Sequence, residues 1–235
     1  MTVVCLQGGG EFSPGCRGMD RQLLAAVEGR VVVTGLAGEP GHQYHAATNH
    51  GVSHFRACGA SDVVGAPDVR SDKHAALRVL RTARLLVLPG GSPTRLLAAL
   101  RTSGLDEFLL GLLADGGAVM GASAGAMVLG AWTVLPDSRS PEGGIGVERG
   151  LGLVPGTAVI PHWSGGSSRS DWLRALASVP EPLQVLGLPE ESGVLLVDGT
   201  ATAVGQSPTR LVHERYDVAV GEQLPTGAPH ADPPG

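Results

Sequence analysis

Short apolar segments alternate with amphipathic segments along this chain, and the alternation predicts its secondary structure. The apolar segments carry Val, Ile and Leu in continuous runs, which is typical of parallel strands buried on both faces. They predict strands at TVVCLQ, RVVVTGLA, SDVVGAPDV, RLLVLPGG, AVMGAS, TAVIPH, LQVLGLPE, SGVLLVDGTATAVG and TRLVHERYDVAV. The amphipathic segments predict helices at MDRQLLAAVEG, HAATNHGVSHFRACGA, DKHAALRVLRTA, PTRLLAALRTSG, LDEFLLGLLADGG and SRSDWLRALAS.

This order of elements predicts an α/β fold with a mainly parallel sheet and helices on both of its faces. No internal repeat and no linker divides the chain, so we expect a single catalytic domain over residues 1–220. Residues 221–235 read GEQLPTGAPHADPPG. Their Pro and Gly content predicts a flexible tail.

Composition narrows the class of protein. The 235 residues are 43% hydrophobic and carry a net charge of −5, which argues against binding to nucleic acid or to an anionic membrane. No apolar run approaches the roughly 18 residues of a membrane-spanning helix, and MTVVCLQGGG lacks the features of a signal peptide. We therefore expect a cytoplasmic protein, either a monomer or a homodimer, with its three cysteines reduced.

Three glycine clusters follow predicted strands, where α/β proteins place their ligand sites: QGGGE, PGGSP and GASAG. GASAG fits the G-x-S-x-G pattern, in which a sharp strand-to-helix turn exposes a nucleophilic serine. Ser123 would lie at a helix N-terminus, where backbone N–H groups favour developing negative charge. The alternative is that Ser123 only caps that helix, because serine is a common N-cap.

A serine nucleophile needs a base, and His162 has the position that fits this role. It directly follows the strand TAVI, at a carboxyl edge where the Ser123 turn should also lie. We expect His42, His45, His50, His54 and His74 on exposed helical surface, and His213 lacks a neighbouring glycine turn. The acid that would orient His162 stays open between Asp137, Glu142, Glu190 and Glu191.

The motifs GGG, PGGSPTRLLAAL, GASAGAMVLG, GLGLVPG with PH, and GLPEESGVLLVDG occur in this order over about residues 3–205. In this combination the chain resembles the peptidase E (aspartyl dipeptidase) and cyanophycinase family of serine peptidases. The resemblance implies a fold similar to class I glutamine amidotransferases. It also implies Ser123 as the nucleophile, His162 as the base and Asp137 as the residue closest to the family's acid. The oxyanion donors would be the N–H groups of Gly91 and Ala124.

The chain departs from the family pattern after the two glycines of PGGSP. Ser92 and Pro93 stand where relatives have Asn-Thr or Asp-Gln, so a substrate contact at Ser92 could differ from theirs. An acidic substrate needs a cation, and Arg169 falls where relatives carry an arginine, with Arg139 a weaker candidate. Ser164 replaces the triad Glu of the amidotransferases, which argues against ammonia transfer.

These residues predict a serine peptidase, and the resemblance implies short peptides as substrates, with aspartyl dipeptides or β-aspartyl linkages expected. No metal-binding or dinucleotide motif occurs in the sequence, so we expect no cofactor and no metal. Two alternatives stay open at this stage. One is a catalytically inactive binding protein on the same scaffold, and the other is an α/β-hydrolase-type esterase, because GASAG also fits the nucleophile turn of that fold.

Overall fold

The computed structural model of the protein describes residues 1–139 and 144–225, with the side chains of residues 137–139 left out. The α-helices are α1 Arg17–Ala26, α2 His42–Ala57, α3 Lys73–Leu80, α4 Pro93–Ser103, α5 Leu105–Ala114, α6 Ala124–Leu129 and α7 Ser170–Ala177. The strands are β1 Val3–Gln7, β2 Val31–Val33, β3 Val63–Gly65, β4 Leu85–Leu88, β5 Ala118–Ala122, β6 Gly130–Arg139, β7 Ile145–Arg149, β8 Val154–Pro161, β9 Gln184–Leu188, β10 Ser192–Val197, β11 Thr200–Gly205, β12 Thr209–Leu211 and β13 Tyr216–Val218.

The larger sheet has the order β11-β10-β1-β5-β4-β2-β3. Its strands β1 to β5 pair in parallel, whereas β10 and β11 form an antiparallel hairpin at one edge. Alternate residues of β1 enter two different cores, with Val3 and Cys5 in one and Val4 and Leu6 in the other. Both faces are therefore buried, which explains the continuous apolar runs and confirms the predicted α/β class.

Helices cover each face of this sheet. On one face, Met19 and Leu23 of α1 and Phe55 of α2 pack against the strands. On the other face, α3, α4 and α5 contribute side chains that include Leu80 and Leu97. The sheet is therefore buried between two layers of helices, as is typical of a parallel sheet.

A second sheet of six strands follows the order β13-β12-β9-β8-β6-β7, with parallel and antiparallel pairs. Met127, Ile160, Leu176 and Val185 form a separate core that joins this sheet to α7. The sequence predicted neither the second sheet nor strands β6 and β7. Hydrophobic periodicity reports which residues are buried, but it does not report which strands become neighbours.

Buried polar residues lie between α1 and α2. His54 is 5% exposed, so the expectation that it lies on exposed helical surface is wrong. Its Nε2 is 2.6 Å from Oδ2 of Asp20, a carboxylate that is fully buried and also accepts a hydrogen bond from Gln7. The polar composition of α2 gave no sign that His54 is buried, because its partner Asp20 lies on another helix, α1.

The three cysteines of the sequence are buried and form no disulfide. At the C-terminal end, Leu224 is buried and its N–H donates to the carbonyl of Ala201, so the chain is packed on β11 up to this point. Residues 226–235 of the expected tail lie outside the described residues. Within the described ranges, no helix combines the length and the apolar character needed to cross a membrane.

Candidate active site

Ser123 lies on a sharp turn between β5 and α6. Its backbone angles, φ 50° and ψ −111°, are rare for a residue with a side chain and are typical of a strained functional turn. The flanking glycines make this turn possible. A Cβ on Gly121 would lie 2.4 Å from the carbonyl carbon of Gly125, and a Cβ on Gly125 would lie 2.1 Å from the carbonyl oxygen of Leu88. Strand, turn and helix therefore pack closer than any other residue would allow.

Strand register brings the three glycine clusters together. Gln7 pairs with Ala122, and Leu88 pairs with Gly121, so β1, β4 and β5 end at the same edge of the larger sheet. GGG and PGG follow β1 and β4 directly, and GASAG begins with the last two residues of β5. The expected location of a site at the carboxyl ends of parallel strands agrees with this arrangement.

The Gly8-Gly9-Gly10 loop fixes the backbone around the site. The carbonyl of Gln7 accepts the Ser123 N–H at 2.9 Å, and the carbonyl of Gly8 accepts the His162 N–H at 2.8 Å. A Cβ on Gly9 would lie 2.3 Å from Cε1 of His162, and Gly9 has φ +133°. The first-strand glycines are therefore needed because the loop passes directly against the imidazole.

Ser123, His162 and Glu190 form a continuous hydrogen-bonded chain. Ser123 Oγ is 2.9 Å from His162 Nε2, and His162 Nδ1 is 3.0 Å from Glu190 Oε1. The hydroxyl and the carboxylate thus contact opposite nitrogens of one ring, as a nucleophile–base–acid chain requires. Glu190 is 65% exposed and His162 39% exposed, so water screens the attraction between them whenever the imidazole carries a proton on both nitrogens.

The four acidic candidates have different positions. Glu190 is on His162, whereas Glu191 Oε1 accepts a hydrogen bond from Ser13 at 2.6 Å and holds the loop after β1. Asp137 lies on β6, and its side chain is outside the described residues, as is the whole of Glu142. Among the described side chains, the carboxylate on His162 is that of Glu190.

The two expected oxyanion donors lie on the Ser123 turn and on the PGG turn. Ala124 is the first residue of α6, where a backbone N–H has no acceptor within its own helix. Gly91 has φ +140°, and a Cβ there would lie 2.7 Å from the carbonyl oxygen of Ala37. Its N–H donates to no acceptor in the part of the chain that the structure describes. The neighbouring Gly90 N–H is already bonded, at 2.8 Å, to Oε1 of Glu11.

The two expected substrate contacts differ in their surroundings. Ser92 is the N-cap of α4, and its Oγ accepts the Arg95 N–H at 3.1 Å. Arg169 ends a short 3-10 helix, with its guanidinium carbon 4.7 Å from the ring centre of Trp172. Its Nε is buried and has no hydrogen-bond partner among the described residues. The side chain of Arg139 lies outside those residues.

A cavity of about 530 Å³ opens beside Trp163, the residue that directly follows His162. Its lining includes Leu173 and Val212 together with Arg210 and His213. His213 therefore borders this cavity and not the Ser123 turn. The cavity offers space for a group larger than a single side chain, and none of Ser123, His162 and Glu190 is among its lining residues.

The described residues contain one group with the donors of a metal site, namely Asp20, His54 and Cys58. Oδ2 of Asp20 and Nε2 of His54 are 2.6 Å apart, which is a hydrogen-bond distance. Two ligands on one tetrahedral zinc would be about 3.3 Å apart. Burial also raises the pKa of the Cys58 thiol, so the thiolate that a metal prefers is disfavoured. The group is best described as a buried hydrogen-bonded pair with a thiol beside it.

The model of peptidase family S51 matches residues 42–204, well over half of the chain. The chain belongs to peptidase family S51. A crystal structure of a peptidase from an acI-B1 actinobacterium has a similar fold, with a TM-score of 0.80 and 19% identity over 95% of this chain and 96% of that one. A putative peptidase E protein from Listeria monocytogenes EGD-e gives a TM-score of 0.65 and 16% identity over 88% of this chain and 100% of that one.

The family membership makes this protein a serine hydrolase and confirms the family resemblance found in the sequence. The alternatives of an inactive binding protein and an α/β-hydrolase esterase are therefore set aside. Sequence reasoning missed Glu11, whose carboxylate lies at the site. Its position directly after the GGG cluster was the available signal.

Proposed function

We propose that this peptidase hydrolyses short acidic peptides, with aspartyl dipeptides or β-aspartyl linkages as substrates, through an acyl-enzyme on Ser123. The observation that carries the proposal is the chain of hydrogen bonds from Ser123 through His162 to Glu190. We assign Glu190 as the acid in place of Asp137, because Glu190 is the described carboxylate in contact with the imidazole.

The reaction follows from this geometry. His162 Nε2 takes the Ser123 hydroxyl proton while Oγ forms a bond to the carbonyl carbon of the scissile amide. The N–H groups of Gly91 and Ala124 stabilise the oxyanion, and such donors are worth about 3 kcal/mol each. His162 then passes its proton to the leaving nitrogen as the C–N bond breaks. Water then attacks the carbonyl carbon of the acyl-enzyme while His162 takes a proton from it, and His162 returns that proton to Ser123 Oγ as the carboxylic acid leaves.

Arg169 supports the acidic part of the substrate. No hydrogen bond or ion pair commits the Arg169 guanidinium to another group among the described residues, so its donors are not occupied by a protein carboxylate. Stacking on Trp172 holds the guanidinium plane in one orientation, which reduces the entropy lost on binding. Ser92, next to Gly91, is the proposed second contact, and its capping of α4 holds it in place.

The catalytic assignment is tested with Ser123→Ala, His162→Ala and the control Ser164→Ala. Ser164 is an exposed serine in the loop after His162 and bonds only to Ser168 among the described residues. We expect both site variants to lose hydrolysis of Asp-Leu to a similar degree, because members of one catalytic unit are not additive. A fluorophosphonate probe should label the wild type and Ser164→Ala but not Ser123→Ala. Wild-type turnover by Ser123→Ala would refute the assignment.

The specificity is tested with Arg169→Met against the control Arg174→Met. Arg174 lies on α7, is highly exposed and pairs with Asp171, so its loss should leave the site unchanged. Arg169→Met should lower kcat/KM on Asp-Leu by a factor equivalent to about 2 to 4 kcal/mol of lost transition-state stabilisation. It should change kcat/KM on Leu-Leu little. An equal loss on both peptides, or a wild-type preference for Leu-Leu, would remove the acidic substrate from the proposal and leave the serine peptidase.

A further inference from the structure

The carboxylate of Glu11 lies at the active site without a role in the chemistry described above. Its Oε1 accepts the Gly90 N–H at 2.8 Å. A Cβ added to Gly90 would lie 2.6 Å from Glu11 Oε1 and 3.1 Å from Cβ of Ser123. Glu11 and Ser123 therefore border the same small space in front of the PGG turn.

The loop that carries Glu11 is held from both sides. The next residue, Phe12, is buried and packs edge-on against Phe55, with the ring centres 6.3 Å apart. Ser13 donates to Glu191, which ties the loop to the turn after β9. The half-buried Glu11 side chain is thus directed into the site by a fixed backbone.

Among the described residues, the carboxylate of Glu11 has no ion-pair partner. Within residues 1–139 and 144–225, no Lys, Arg or His nitrogen lies within 4.0 Å of the carboxylate, and Oε2 has no hydrogen-bond donor. A negative charge beside Ser123 would oppose the oxyanion that forms there. A cation that arrives with the substrate would remove this conflict and would satisfy Oε2.

We propose that Glu11 binds the ammonium group of the substrate's first residue, so that the enzyme selects peptides with a free N-terminus. This inference rests on the proposed function, since it uses Ser123 as the nucleophile. The α-nitrogen of an amino acid is two bonds from its own carbonyl carbon, about 2.5 Å away. A carbonyl placed for attack by Ser123 therefore brings its own ammonium near Glu11, whereas an internal peptide bond brings an uncharged amide there.

The test compares Asp-Leu with N-acetyl-Asp-Leu in the wild type, Glu11→Gln and the control Glu39→Gln. Glutamine keeps an oxygen for the Gly90 N–H and removes only the charge. Glu39 is exposed, and it pairs with Arg95 of α4 at 3.3 Å outside the site. Glu11→Gln should lower kcat/KM on Asp-Leu about 10- to 100-fold, mainly through KM, and should not lower kcat/KM on the acetylated peptide. Glu39→Gln should behave as the wild type.

A binding measurement separates this inference from the proposed function. In a Ser123→Ala background, calorimetry should show tighter binding of Asp-Leu than of its acetylated form, and Glu11→Gln should remove the difference. If Ser123→Ala still hydrolyses peptides, the proposed nucleophile is wrong, and the calorimetric comparison alone decides the role of Glu11. Equal binding of the two peptides, or an equal effect of Glu11→Gln on both, would overturn the inference. Fluorophosphonate labelling of Ser123 in Glu11→Gln should be no slower than in the wild type, because the variant removes a charge that opposes the oxyanion.

Discussion

Replacing Glu190 with Gln tests the acid of the proposed triad, and the structure sets the size of the effect. The change removes the charge that faces the imidazolium of His162 during the reaction, with Oε1 and Nδ1 3.0 Å apart. Two unit charges about 4 Å apart attract by about 1 kcal/mol in water and about 4 kcal/mol at a protein surface of lower dielectric constant. The exposure of both side chains favours the lower part of this range.

We therefore expect Glu190→Gln to lower kcat about 10- to 100-fold. The loss should be smaller than the roughly 10⁴-fold effect of the Asp-to-Asn change in the buried triad of chymotrypsin-like proteases. An exposed glutamine amide can rotate and offer its oxygen to Nδ1, so the productive tautomer of His162 is retained in part. High salt should reduce the difference between wild type and variant, because it screens the ion pair in the wild type.

The assay is steady-state hydrolysis of Asp-Leu, with Glu191→Gln and Asp137→Asn measured beside Glu190→Gln. Glu191→Gln is the matched control, because its carboxylate bonds to Ser13 and not to His162. The assignment of Glu190 is refuted if Glu190→Gln retains full kcat while Asp137→Asn loses it. That pattern would reassign the role of the triad acid to Asp137.

Three further predictions concern the surroundings of the site. Gly9→Ala should lower kcat at least about 100-fold, because the added methyl group would displace His162, and circular dichroism should show that the fold is retained. The control Gly18→Ala has open space around the added methyl group and should keep its activity. Equal activities of the two variants would contradict the close approach of Gly9 to His162. Asp20→Asn should lower the free energy of unfolding by about 3 kcal/mol in urea titrations, because it disrupts a fully buried hydrogen-bonded carboxylate, and an unchanged midpoint would refute this. Burial raises the pKa of Cys16 to about 11, so iodoacetamide at pH 8 should alkylate Cys16 slowly in the native protein and rapidly in urea; equal rates would show that the thiol is accessible.

Much of the fold could be predicted because its signals are local. The continuous apolar runs of β1, β4 and β5 follow from burial on both faces, and the structure confirms these strands. The second sheet could not be predicted. GAWTVLPD, which begins β6, comes directly after a helix and has no periodicity that assigns it to a separate sheet.

The sequence by itself determined the Ser123 turn and the position of His162 at a strand end. Gly121 is required by its contact with Gly125, four residues further along the chain, and this part of the GASAG turn is local. Gly125 is required by the carbonyl oxygen of Leu88 on the neighbouring strand β4, which is a tertiary contact. Tertiary structure decided which acid meets the imidazole. Pro161 pairs with Leu188, so β8 and β9 end side by side and Glu190 comes next to His162. Tertiary structure also brought Glu11 to Gly90 and Asp20 to His54. Strand order and helix packing join these residues, which are far apart along the chain and therefore give no local signal of their contact.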